Sequence, residues 1–313
     1  MSRGNTRTVS GLFRHVLAAQ NAAVSFKRTT LLPSFSTNCK THVFDEAVKL
    51  VSTGSLGQWQ CQVHPAYANM IGPYGGITLA QALHAIMIDP RRHGDPTSIT
   101  MNYVAPVDSS TPEIIATLKR TNRSTQHWTA DFIQNGEIVA CAMILCAVRK
   151  GTFDHIHVSM PQVPSPESLS RSQARFPEWV SRYDMRYVTG EPSLSLTNAE
   201  VGEPALNASS KTVVWIKDTP NRPIDFQSLS AITDAFYPRI YILRPRFIPA
   251  GTVSITVYFH VCADDLKSIG SDYLLGDASG TVFHRSFADQ TVMLWTRSGR
   301  LLATSTQCVY FKG

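Results

Sequence analysis

The hydrophobic pattern of the chain is most unusual over residues 72–88. Gly75 and Gly76 open a run that is apolar or small on nearly every side. A surface helix would show a single apolar stripe, whereas apolar character all round predicts a helix that the protein encloses. Asp89-Pro90 ends it, because proline cannot continue the helical hydrogen bonds and disfavours helix in the residue before it.

Around this helix, apolar and polar residues alternate in the manner of β-strands. One strand is predicted before the helix and four after it: Gln58–Val63, Ser98–Val104, Glu113–Asn122, His127–Gln134 and Ile138–Val148. Asn135-Gly136 between the last two predicts a tight hairpin. An enclosed helix followed by antiparallel strands indicates an α+β unit in which one sheet wraps around one helix.

The pattern occurs a second time. Ser98–Val104 resembles Ser254–His260, and Asn135–Ala140 resembles Ser298–Ala303. The second helix is predicted over Asp225–Tyr237, with Asp225 as its N-cap and Pro238 after its end. Two similar halves predict two fused copies of the same domain.

These patterns divide the chain into four segments. We predict a leader over residues 1–43, a first domain over 44–150, a connector over 151–210 and a second domain over 211–313. The connector is rich in Pro, Ser, Asn and Glu, and we expect it to cover the surface, with some helix near Glu167–Arg175.

Composition narrows the class of protein. With 43% hydrophobic and 17% charged residues, the chain can bury a sizeable core, and its longest apolar run falls short of the ~18 residues of a membrane span. The six cysteines contain no C-x-x-C pair, which indicates free thiols in an intracellular protein and no metal site. No acidic residue precedes Asp45, whereas six of the 29 basic residues do, so the rest of the chain is neutral. Nucleic acid is therefore not an expected partner.

The leader carries that basic excess and is rich in Arg, Ser and Thr, which is typical of an organellar transit peptide. A disordered extension and an upstream start codon are the alternatives. The expected location is a mitochondrion or another organelle in the first case and the cytoplasm otherwise.

Several of these motifs resemble one family. Gly72-Pro73-Tyr74-Gly75-Gly76 leading into Gln81-Ala82-Leu83, the Asn135-Gly136 hairpin and Arg300–Gln307 are similar to the double hot-dog acyl-CoA thioesterases. The resemblance spans residues 44–148 and 212–311. It implies two hot-dog domains that share one continuous sheet, an acyl-CoA or acyl-carrier thioester as substrate, a role in lipid metabolism, no metal or other cofactor, and room for a homo-oligomer.

Thioester hydrolysis requires an oriented water, a base and donors for the developing oxyanion. The chain has no G-x-S-x-G and no H-E-x-x-H motif, so a direct attack by water fits better than a covalent nucleophile. Asp234 is the candidate base, because it lies late in the second helix, where a carboxylate is unfavourable, beside small residues. A solvated acid at a helix end is the alternative, but the resemblance implies that Asp234 is the general base.

Two further candidates lie on strands of the second half. Alternation along Leu301–Phe311 places Gln307 on one face with Ala303, Ser305 and Val309. A glutamine there is ordinarily a hydrogen-bonded filler, but the resemblance implies that Gln307 holds the attacking water. It likewise implies a threonine early in the strand after the helix that holds this water together with Gln307; Thr252 matches this position and Thr256 competes.

Gly75 and Gly76 have two interpretations. They either let the chain enter a crowded helix or offer backbone amides to negative charge on the substrate. The structural interpretation is preferred for this half, because the matched acid and glutamine belong to the other. Ile77 also stands where the family often carries a polar residue, which argues against polar chemistry at the first helix.

Two other functions remain open at this point. A hot-dog dehydratase or acyltransferase would use the same fold, but a dehydratase requires a histidine with a nearby acid, and His84 has no acidic neighbour before Asp89. A non-catalytic acyl-binding protein would leave Asp234 without a role.

Overall fold

The computed structural model describes residues 41–192 and 206–312; the predicted leader, up to residue 40, lies outside them. Its helices, α1 to α5, are Val43–Ala47, Gly75–Met87, Phe226–Thr233, Arg239–Leu243 and Ala263–Ile269. Its strands, β1 to β13, are Leu50–Ser52, Gln58–Cys61, Asp95–Tyr103, Glu113–Thr121, Thr125–Gln134, Glu137–Ala147, Tyr183–Thr189, Thr212–Asp218, Ala250–Phe259, Leu274–Ser279, Phe283–His284, Phe287–Thr296 and Leu301–Phe311.

All of these strands belong to one antiparallel sheet. Twelve run in the order β1-β2-β4-β5-β6-β3-β9-β13-β12-β10-β8-β7, and β11 pairs with β12. From the middle of the sheet outwards, the two halves have the same arrangement: β3, β6, β5 and β4 in one half correspond to β9, β13, β12 and β10 in the other. The predicted pair of hot-dog domains with one continuous sheet is therefore confirmed.

The two halves join between β3 and β9. Thr100 and Thr256, which occupy equivalent positions in the sequence repeat, lie opposite each other there, and their hydroxyl oxygens are 3.0 Å apart. Pairing runs symmetrically away from this point, with Ser98 opposite Tyr258 and Asn102 opposite Ser254. An internal two-fold axis thus relates the halves and passes beside the two threonines.

The sheet encloses α2, as the hydrophobic pattern predicts. Ten of its residues are buried, and the amide of Gln81 donates to the carbonyl oxygens of Ala47 and Gln62 at 2.8 and 3.0 Å. This polar side chain tolerates the core because its donors are satisfied. The helix packs against α3 in antiparallel fashion, with Tyr74 near Ala231 and His84 near Gln227.

The predicted end of α3 is wrong. Asp225 does cap its start, accepting a 2.8 Å hydrogen bond from the Ser228 backbone N–H, but the helix ends at Thr233 and Asp234 is its C-cap. Pro238 precedes a separate short helix, α4, instead of stopping α3. An apolar stripe continued across this break, which is why the periodicity overestimated the length.

The predicted connector contains more structure than expected. β7 forms one edge of the sheet, where it pairs with β8, and Trp179 and Tyr183 before it are buried. The helix expected near Glu167–Arg175 is absent, and a single 3₁₀ turn, Pro166–Ser168, lies there. Prolines masked the strand signal, because they suggested loop on both sides of it.

Two expectations from composition can be compared with the structure. No helix in the described part of the chain is long and apolar enough to span a membrane. The five cysteines within it are free thiols, of which Cys61 and Cys146 are buried.

Candidate active site

Asp234 lies where the two central helices meet. It is at the carboxyl end of α3, where the helix dipole disfavours a negative charge. The antiparallel packing, however, places it against the amino end of α2, where the dipole favours one. The backbone N–H of Gly76 faces its carboxylate and lowers its pKa. A carboxylate that is unfavourable for its own helix is therefore stabilised by the neighbouring one.

The three predicted catalytic side chains form one chain of hydrogen bonds. The Gln307 amide nitrogen donates to Asp234 Oδ1 at 3.1 Å, and the Thr252 hydroxyl donates to Gln307 Oε1 at 3.0 Å. Thr252 thus fixes which way the amide faces, so that its nitrogen is directed at the carboxylate. Asp234 and Gln307 are 9% and 5% exposed, so these bonds are largely shielded from water.

A break in the strand register brings Thr252 into this chain. Cys308 pairs with Ser254, but the next residue of β13, Val309, pairs with Thr252, so Val253 forms a bulge. Without it, alternation would place Thr252 on the outer face of β9 with Thr256. The bulge turns Thr252 towards Gln307, whereas Thr256 bonds to Thr100 at the centre of the sheet.

The environment of Asp234 makes its carboxyl group an unusually weak acid. Burial raises its pKa from 3.8 to about 7, which exceeds the opposing effects of the hydrogen bonds from Gln307 and the Gly76 N–H. A carboxyl group with a pKa near neutral is well matched to take a proton from water at neutral pH.

The two glycines at the start of α2 meet different neighbours. A Cβ on Gly76 would lie 2.5 Å from the ring of Tyr74, whereas one on Gly75 would lie 2.8 Å from Asp234 Oδ2 and 3.2 Å from the Tyr103 hydroxyl. The first helix therefore contributes directly to the polar centre, contrary to our expectation from Ile77. Packing between antiparallel helices produces this arrangement, which no local motif in the sequence could reveal.

These groups open onto a cavity of about 680 Å³ between the two halves. Its polar part comes from Asn69, Gly75, Thr78, Tyr103, Asp234 and Thr252. The rest is mainly apolar and comes from both halves: Met70, Ile71, Pro73, Val104, Ala105, Pro106, Val107, Phe247, Pro249, Ala250, Gly251, Val253 and Tyr310. The size and the mixture of an apolar wall with few polar groups are typical of a small-molecule site.

Several polar residues of this cavity, among them Tyr103 and Thr78, were not candidates from the sequence. Tyr103 ends β3 and Thr78 lies one turn into α2, and both face a centre whose acid belongs to the other half. Their sequence positions give no sign of this proximity. No group of three or more His, Cys, Asp or Glu side chains in residues 41–192 and 206–312 is placed to hold a metal ion.

Comparison with known proteins agrees with this architecture. A family model described as the acyl-CoA thioesterase N-terminal domain matches residues 64–148, and one described as the acyl-CoA thioesterase C-terminal domain matches residues 157–311. No curated protein matches the chain.

Solved structures share the fold. A conserved hot-dog protein of unknown function from Alicyclobacillus acidocaldarius is 39% identical, with a TM-score of 0.80 over 87% of this chain and 99% of that one. A TesB protein from Mycobacterium avium subspecies paratuberculosis is 21% identical, with a TM-score of 0.69 over 86% and 98% of the two chains. The acyl-CoA thioesterase II TesB2 from Mycobacterium marinum is 16% identical, with a TM-score of 0.64 over 86% and 98%.

The two family models together cover most of the chain, in the order in which the two halves of the fold occur. The chain therefore belongs to the acyl-CoA thioesterase family, a family of thioester hydrolases.

Proposed function

We propose that this protein hydrolyses an acyl-CoA thioester by direct attack of a water molecule that Asp234 activates. The observation that carries this proposal is the hydrogen-bonded chain from Thr252 through Gln307 to Asp234 at the wall of the cavity. It joins a base of suitable pKa to an amide that fixes its orientation. An acyl-carrier thioester has the same reactive group, and the cavity favours neither carrier.

In the proposed reaction, Asp234 takes one proton from the water while the water oxygen adds to the thioester carbonyl. The tetrahedral intermediate then collapses, the carbon–sulfur bond breaks, and the leaving thiolate takes the proton from Asp234, which restores the carboxylate. The products are a carboxylic acid and free CoA, so the atoms balance without a cofactor.

Gln307 has two tasks in this scheme. One of its amide N–H groups holds Asp234, and the second has no acceptor among the described residues, so it can bind the water or the oxyanion. Thr252 acts through Gln307, since its hydroxyl is already bonded to that amide. This differs from our expectation that Thr252 itself holds the water.

The backbone N–H of Gly75, at the start of α2, is the proposed donor to the oxyanion. The Gly76 N–H instead faces Asp234, and the Ile77 and Thr78 N–H groups bond to the Tyr74 carbonyl oxygen. A helix amino terminus offers unpaired N–H groups and a partial positive charge, and Gly75 lines the cavity there. Fixed dipoles of this kind cost little reorganisation during the reaction.

The test is release of CoA from acyl-CoAs of different chain length, measured for the wild-type protein and for Asp234→Asn. We expect turnover by the wild type and a loss of about 10³-fold or more in the variant, with acyl-CoA still bound. Asn has nearly the shape of Asp but cannot accept the proton. Binding without turnover by the wild type would instead favour a non-catalytic acyl-binding protein.

A further inference from the structure

The Cα of Gly75 lies close to Asp234 and Tyr103, and all three residues line the cavity. A Cβ at position 75 would be 2.8 Å from Asp234 Oδ2 and 3.2 Å from the Tyr103 hydroxyl, and both distances are shorter than most contacts of a real Cβ. The backbone of Gly75 is helical, so that any residue could adopt its conformation. The requirement for glycine is therefore one of space and not of backbone geometry.

The polar atoms beside Gly75 are already oriented. Asp234 Oδ1 is bonded to Gln307, which leaves Oδ2 as the oxygen on the Gly75 side. The Tyr103 hydroxyl donates its proton to the Gly75 carbonyl oxygen at 2.8 Å, so its own oxygen has lone pairs left to accept a hydrogen bond. Burial and the nearby Asp234 raise the pKa of Tyr103, so the phenol keeps this proton at neutral pH.

A water molecule in the cavity beside Gly75 would find two acceptors. It can donate one hydrogen to Asp234 Oδ2 and the other to the Tyr103 oxygen, which directs a lone pair of the water away from both groups and into the cavity. Two fixed acceptors define the orientation of a nucleophile better than one, and orientation of this kind contributes strongly to rate.

We propose that Tyr103 is a further catalytic residue, whose hydroxyl oxygen binds the attacking water in the cavity beside Gly75 and Asp234. This inference rests on the proposed function. During the attack Asp234 takes one proton, the second stays on the water oxygen and keeps its bond to Tyr103, and Tyr103 itself neither gains nor loses a proton. The first half of the chain thus contributes a side chain to the reaction as well as the helix start.

The main test is Tyr103→Phe, which keeps the ring and removes the oxygen. We expect kcat to fall by about 10- to 100-fold with KM changed less than about threefold, because the water and not the thioester loses a partner. The matched control is Tyr258→Phe, since Tyr258 lies on the exposed outer face of β9, and we expect its rates to equal those of the wild type. Melting temperatures should confirm that both variants are folded.

A second variant, Gly75→Ala, keeps the carbonyl oxygen that Tyr103 binds but adds a Cβ 2.8 Å from Asp234 Oδ2 and 3.2 Å from the Tyr103 hydroxyl, which moves these two acceptors out of place. We expect a loss of about 10²-fold, and the double variant with Tyr103→Phe should be no slower than the slower single variant, because both act on one water. Multiplied losses in the double variant would mean that Tyr103 only supports the helix start, which overturns the inference.

The inference and the proposed function fail in different ways. Wild-type kcat in Tyr103→Phe, with Asp234→Asn inactive, would remove Tyr103 from the mechanism and leave the function intact. Full activity in Asp234→Asn would overturn both.

Discussion

The internal two-fold axis creates two equivalent places between the central helices, and they differ in every residue that matters for chemistry. At one, the end of α3 meets the start of α2, and Asp234 faces Gly76. At the other, the end of α2 meets the start of α3, and His84 bonds to Gln227 at 2.9 Å. His84 thus lies at the second contact as Asp234 lies at the first, and we call the two places the His84 site and the Asp234 site.

The strand register identifies the other counterparts. Gln307 lies opposite Ile255 in the second half, and the equivalent pair in the first half is Ile144 opposite Ile99. The position equivalent to Thr252, counted from the paired threonines, is Pro96. The His84 site thus has an isoleucine, Ile144, in place of the amide and a proline, Pro96, in place of the hydroxyl. It therefore cannot orient a water in the same way.

An ion-pair network stabilises the His84 site instead. Arg222 bonds to Asp45 at 2.7 Å and to Asp225 at 2.5 Å, and its guanidinium lies 4.7 Å from the centre of the Phe44 ring. Both acids are near His84 and raise its pKa, but the larger effect of burial lowers it. The acids that a dehydratase would need near this histidine are thus present, which the sequence did not show, but Arg222 binds both of them. The Asp234 site has the groups for the proposed chemistry. At the His84 site, ion pairs connect α1, the amino end of α3 and the loop that precedes α3.

The sharpest test of this difference compares the same substitution at the two sites, Asp234→Asn and His84→Asn. Asp234→Asn should lower kcat/KM by about 10³-fold or more, whereas His84→Asn should stay within about threefold of the wild type. CoA release by the two purified variants measures this directly. Comparable losses in both would mean that both sites take part in the reaction.

The next effect concerns the amide. Gln307→Ile gives the Asp234 site the residue of its counterpart, Ile144, and should lower kcat/KM by about 10²-fold at neutral pH. Gln307 lowers the pKa of Asp234, so its removal raises that pKa further above its present value of about 7.

The pH profile separates this effect from a loss of packing. The base must be ionised, so wild-type kcat/KM should fall about tenfold per pH unit below pH 7. In Gln307→Ile this fall should begin at higher pH, which makes the loss larger at pH 6 than at pH 8.5. An unshifted profile would show that the amide does not act through Asp234.

Substitutions at the His84 site should change the stability of the protein and not its rate of hydrolysis. Arg222→Ala leaves Asp45 and Asp225 without their shared partner, and we expect the free energy of unfolding to fall by about 2 kcal/mol, since both carboxylates remain partly exposed. Urea unfolding at pH 7 measures this change. The kcat at 25 °C should match that of the wild type, and a loss of kcat in the folded variant would contradict the division between the two sites.

Much of this comparison was accessible from the sequence, and the part that was not has a physical cause. Local patterns located α2, the hairpins, the repeat and Asp234, because helix ends and turns depend on neighbouring residues. The contact of Asp234 with Gly76 depends on antiparallel packing between elements 158 residues apart in the chain, and no periodicity records that. Tyr103 and Arg222 were overlooked for the same reason, since each acts on a partner in the other half.

Thr252 shows how one local irregularity decides a role, and it gives the smallest predicted effect. By strict alternation Thr252 and Thr256 would share the outer face of β9, but the bulge at Val253 directs Thr252 alone to Gln307. Thr252→Val removes the hydroxyl that orients the amide, and we expect kcat to fall by about tenfold, roughly the value of one buried hydrogen bond. Thr256→Val is the matched control, because the hydroxyl it removes bonds to Thr100 away from the cavity, and it should leave kcat unchanged. If the two variants were equally active, the amide would hold its orientation without Thr252, and the bulge would have no part in catalysis.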